Sequence, residues 1–131
     1  MGGQPQSEAW SQEEARLETL DLAHAIVDAI AEKQGENVVL LDLRAHSTIA
    51  DYFILCSGRS DRQLKAIIEG MGEHTRRNLD VAPRRVEGDP GSGWVLVDYG
   101  DIITHVFTPH TRAFYNLEAL WKEAPVLMRM L

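Results

Sequence analysis

The stretch ADYFILCSGRSDRQLKAI, residues 50–67, decides how the chain is to be read. An apolar run closes on Cys56 and breaks into Ser57, Gly58, Arg59, Ser60 and Asp61 before apolar residues resume at a wider spacing. The hydrophobic period changes there from two to about 3.6, so a strand empties through a Ser/Gly turn into a helix. Ser60 and Gln63 form a capping box for that helix, which Leu64, Ile67, Ile68, Met71 and Leu79 outline, with Gly70 and Gly72 interrupting it. Such a corner is where phosphates are bound and nucleophiles displayed, and it is equally an ordinary strand-to-helix junction.

Upstream, VVLLDL at residues 38–43 is a second continuous apolar run, which predicts strands covered on both faces and hence a sheet flanked by helices. Ser11 and Glu14 form a capping-box pattern, after which Leu17, Leu20, Val27, Ile30 and Ala31 carry a first helix to about Gln34 and Gly35 closes it. Downstream, Arg84–Glu87 reads as a short edge strand. WVLVDYGDIITHVF, residues 94–107, reads as two strands joined at Asp98–Asp101, with Tyr99 and Gly100 as the turn. Pro109 opens a last helix whose Phe114, Leu117, Leu120 and Trp121 form an apolar stripe. The predicted fold class is α/β, a mixed β-sheet flanked by helices in the order α-β-β-α-(β)-β-β-α. Residues 1–14 are expected to be a disordered extension, 15–124 the domain and 125–131 a tail.

At 131 residues the chain suits one domain, and its 44% hydrophobic and 25% charged composition is that of a globular protein. No apolar run approaches the roughly 20 residues of a membrane span, and the acidic N-terminus is unlike a secretory or mitochondrial leader, so a cytoplasmic protein without membrane contact is expected. The net charge of −7 is concentrated in residues 1–60, which hold 10 acidic and 4 basic side chains. That surface speaks against broad contact with nucleic acid, where phosphate neutralisation dominates, and suits a basic partner.

The chemical candidates are weak. Asp98 and Asp101 are separated by two residues across a hairpin, whereas a metal-binding D-x-D pair alternates on one face of a strand. Cys56 lacks any nucleophile motif, and His105 and His110 lack a third ligand at metal spacing. Arg76, Arg77, Arg84 and Arg85 form the only basic cluster, best read as a solvated helix end. The aromatic residues say more. Trp94, Tyr99, Phe114, Tyr115 and Trp121 gather after residue 93 beside Asp98, Asp101, Glu118 and Glu123, a composition divided between core and protein-binding surface.

As a set, the ADYF…SG.SDRQ corner, the EG…W…DYGD…H.F stretch and the FY.LE.LW ending resemble the Iojap family of ribosomal silencing factors, the RsfS type of bacteria, over about residues 15–122. The resemblance implies a scaffold similar to nucleotidyltransferases without their catalytic carboxylate pair, and a non-enzymatic factor with no cofactor or metal. It implies binding to the large ribosomal subunit through its universal fourteenth protein (uL14 type), which blocks joining of the small subunit and represses translation. It also implies a homodimer and at most peripheral rRNA contact. Carried over by position, the partner surface comprises Trp94, Asp98, Tyr99 and Asp101, with His105 on the following strand.

Overall fold

The computed structural model describes the backbone of residues 4–131 and the side chains of residues 12–131. Its centre is a six-stranded sheet. β1 (Glu36–Asp42) and β2 (Tyr52–Ser57) pair antiparallel, and β2 leads through the corner into α2 (Asp61–Leu79). β3 (Arg85–Asp89), β4 (Trp94–Asp98) and β5 (Ile102–Phe107) follow as an antiparallel meander whose last strand lies parallel to β2. The order across the sheet is β3-β4-β5-β2-β1-β6, where β6 is Val126–Met130.

Two apolar layers explain the continuous runs. Val38, Leu40, Ile54, Cys56, Val95, Val97 and Val106 meet Ile26 and Ile30 of α1 (Gln4–Glu32) and Leu64, Ile67 and Met71 of α2. The alternate residues Val39, Leu41, Phe53, Leu55, Ile103 and Phe107 form a second buried layer on the opposite face. There the cover is α3 (Pro109–Tyr115) and α4 (Leu117–Leu120), from which Leu117 and the following Trp121 pack down. Burying both faces removes the alternation a half-exposed strand would show.

The structure departs from the sequence reading in four places. The first helix starts at Gln4, so Ser11 lies inside it rather than capping it, and the expected disordered extension is helical over residues 4–14; residues 1–3 lie outside those described. At its other end Gln34, not Gly35, takes the left-handed conformation (φ 62°). Gly35 is required for space instead, because a Cβ there would run into Ile30. The last helix breaks in two at Asn116, which is left-handed at φ 48°. Finally, residues 126–130 are not a tail but the strand β6, pairing antiparallel with β1.

The second helix is built as its capping box predicts at one end only. Ser60 Oγ accepts from the Gln63 amide at 3.1 Å. The Gln63 carboxamide accepts from the Arg59 amide and donates to the carbonyls of Lys33 and Gln34, so it caps α2 while satisfying orphaned carbonyls just beyond α1.

Candidate functional site

Alternation along β4 sends Val95 and Val97 towards α1 and α2, and Trp94, Leu96 and Asp98 to the other face. Trp94 is half-buried rather than displayed. Its indole Nε1 donates to Nδ1 of His105, two residues from its register partner Phe107 on β5, at 3.2 Å. Because an indole can only donate, Nδ1 is the acceptor and the neutral imidazole carries its proton on Nε2. His105 is buried, and burial alone lowers its pKa to about 4, so the ring is neutral at physiological pH.

The same face carries a chain of rings. Phe114 meets Tyr115 at 5.0 Å, Tyr115 meets Trp94 at 4.7 Å, and Trp94 meets His105 at 5.9 Å between centroids. His105 in turn meets Phe53 at 4.6 Å, and Phe53 meets Trp121 at 5.9 Å. Exposure varies along this chain of rings: Phe53 and His105 are buried, Trp94 and Trp121 are half-buried, and Phe114 and Tyr115 are 74% and 52% exposed; Leu120 of α4 is also exposed. Phe114 and Tyr115 thus adjoin one another as exposed rings beside half-buried Trp94, a feature that interaction surfaces use.

The five residues expected at the partner surface therefore divide. Trp94, His105 and Asp98 share the aromatic face, with His105 beneath it rather than on it. Asp98 is 15% exposed, bonds the Gly100 amide at 2.7 Å and pairs with Arg85 at 3.3 Å. Tyr99 turns to the opposite side, where it is buried with its hydroxyl 3.0 Å from Thr75 Oγ1. That placement removes Tyr99 from any surface. Asp101 is exposed and lines a groove of about 480 Å³ between α1 and the end of α2, with Glu18, Leu22 and Leu79. Phe114 and Leu120, which the period assigned to one apolar stripe with Leu117 and Trp121, are instead the exposed members, because the break at Asn116 turns them outward. The only hint in the sequence was the FY pair beside a residue tolerant of left-handed backbone.

The strand-to-helix corner is occupied by its own structure. Ser57 Oγ accepts from Arg112 at 2.9 Å, and Ser60 is committed to the cap. Cys56 is fully buried and its thiol is pushed up to about 12 by desolvation, so it holds its proton and is not a nucleophile.

By architecture this is an α/β domain with a mixed six-stranded sheet, covered by two long helices on one face and by a thin aromatic layer on the other. The model of the family "Ribosomal silencing factor during starvation" (RsfS) matches residues 16–130, and the chain belongs to that family. The match includes β6, which extends the domain beyond the expected boundary at 124. The chain is 38% identical to the ribosomal silencing factor RsfS of Halalkalibacterium halodurans over 82% of its own length and 91% of that protein. It is 39% identical to the Bacillus subtilis RsfS over 82% and 87% respectively. A crystal structure from Chromobacterium violaceum superposes with a TM-score of 0.74 at 29% identity, covering 79% of this chain and 85% of that one. One from Bacillus halodurans gives 0.72 at 35% identity, covering 83% and 98%.

Proposed function

We propose that the protein silences translation by docking its aromatic face on the large ribosomal subunit, at the universal fourteenth ribosomal protein, where it sterically blocks joining of the small subunit. Family membership supports the silencing role. A mouse relative, 27% identical over 89% of this chain and 56% of its own length, is named for mitochondrial assembly of the ribosomal large subunit, which supports that subunit as the partner. The observation that carries the docking surface is the outward presentation of Phe114 and Tyr115 beside half-buried Trp94, with exposed Leu120 on the following α4. Asp98 borders this face, and His105 holds the Trp94 indole from below. Tyr99 contributes only by anchoring the hairpin, and Asp101 belongs to the separate groove. The factor acts in the cytoplasm as a homodimer, and among the described residues no helix is long and apolar enough to cross a membrane.

Co-sedimentation with purified subunits tests the reading. The protein is expected with free large subunits, inhibiting subunit joining at about one copy per subunit. Phe114→Ala and Leu120→Ala are expected to weaken capture at least tenfold with melting unchanged, because truncating exposed side chains costs less than about 0.5 kcal/mol of stability while interface anchors cost about 2 kcal/mol or more of binding. Sedimentation with small subunits only, or inhibition far below one copy per large subunit, would overturn it.

A further inference from the structure

The helices that carry the exposed rings are too short to hold themselves in place. α3 spans seven residues and α4 four, neither has a fully buried side chain, and a left-handed Asn116 joins them. Isolated helices of that length are unstable in water, so tertiary contacts must set their position. Leu117 and Trp121 supply the contact at the downstream end. At the upstream end there is Arg112, whose side chain is 10% exposed.

Arg112 is bound on three sides. Its Nη1 donates to the Asn37 carbonyl at 2.7 Å and to Ser57 Oγ at 2.9 Å, at the end of the sheet where β1 begins and β2 ends. Its Nη2 donates to Glu118 Oε2 at 2.9 Å, and Nε faces the same carboxylate at 3.3 Å. One guanidinium thus ties α3 both to the sheet and to α4 across the Asn116 break. Phe114 and Tyr115 follow it by two and three residues, so the clamp sets where those rings stand relative to Trp94. A lysine has no planar fork and reaches at most part of this acceptor set.

We infer that Arg112 is the positioning residue of the docking face: it contacts no partner itself but fixes the α3–α4 segment so that Phe114 and Tyr115 stand in register with Trp94. This rests on the docking reading above, and it gives the Ser57 hydroxyl of the corner a structural partner in Arg112.

The test compares wild type with Arg112→Gln, Arg112→Lys and Glu118→Gln in capture of purified large subunits, in thermal melting, and in amide hydrogen exchange over residues 109–121 against β2 and β5. Arg112→Gln is expected to bind at least tenfold more weakly and to exchange faster over 109–121, while β2 and β5 stay protected and melting stays cooperative. Arg112→Lys should recover only part of both losses, and Glu118→Gln, which keeps the sheet contacts, should show a smaller loss of both. Three results overturn the inference: native binding by a folded Arg112→Gln; lost binding with unchanged exchange over 109–121, which would make Arg112 a direct contact; or loss of protection in all strands together, with binding tracking only the folded fraction. If Arg112→Gln fails to fold, Glu118→Gln decides between native and impaired values of the same two readouts. Failure of wild type to capture large subunits would sink the docking reading, whereas the exchange measurement still reports on the clamp.

Discussion

His105 stands in a buried layer between Phe53, Trp94 and Phe107, with Nδ1 accepting from the indole and Nε2 having no hydrogen-bond partner among the described residues. Its folded pKa near 4 lies below the value of about 6.5 expected when unfolded. Between these values the unfolded chain binds the extra proton, so stability rises with pH across the window; it is complete above about pH 6.5 and is lost as pH falls to about 4. The span corresponds to about 3 kcal/mol. Denaturant melts at pH 7, 5.5 and 4.5 should show this slope, and His105→Gln, which accepts from Trp94 but does not titrate, should flatten it. An identical slope in the variant would remove His105 as the cause. Trp94→Ala is expected to lose stability as well as binding. The ring is half-buried against Phe107 and Tyr115, so the cost should be about 2 kcal/mol, below the 3–5 kcal/mol of a fully buried aromatic, and the fold should remain cooperative. The motif that singles out Trp94 and His105 does not reveal that one supports the other, because the hydrogen bond between them crosses from β4 to β5.

At the scale of elements, local signals were read well where the chain satisfies itself. Ser60 caps α2 as its spacing predicts, and Ser60→Ala should cost about 1 kcal/mol in chemical denaturation. Gly100 has φ 95° in the β4–β5 turn, with the Arg84 guanidinium directly over it. The flexible Arg84 side chain can move aside, so Gly100→Ala costs about 1 kcal/mol through its positive φ alone, which the same melts should show. Local signals failed where a neighbouring element sets the outcome. Phe114, Leu117, Leu120 and Trp121 suit a continuous helix, yet the segment breaks at Asn116, where Leu117 and Trp121 pack on the sheet face while Arg112 holds α3 to the sheet end. Residues 126–131 are a short apolar run after Pro125, too short to tell strand from tail by itself; the pairing with β1 makes it a strand.

For the molecule as a whole, the two sheet edges differ. β3 is fully exposed and charged through Arg85, Glu87 and Asp89, which discourages strand addition, whereas β6 covers the apolar β1. Removing residues 126–131 should therefore expose the β1 edge, lower the melting temperature and promote association at micromolar concentration, measured by light scattering; a monomeric, equally stable truncation would contradict the role given to β6. What the sequence by itself determined is the set of properties that depend on neighbours in the chain: the strand-to-helix corner with its cap, the doubly covered character of β1 and β2, the hairpin turn at Gly100, and the motif set that marks the family. Tertiary structure alone decided that β6 joins the sheet, that Tyr99 faces Thr75 while Trp94 faces His105, and that Phe114 and Leu120 point outward. Each of these follows from pairings between residues far apart in the chain, Val39 with Arg129, Thr75 with Tyr99 and Ser57 with Arg112. Periodicity within a segment specifies which residues share a face, but what covers that face is set by segments elsewhere in the chain.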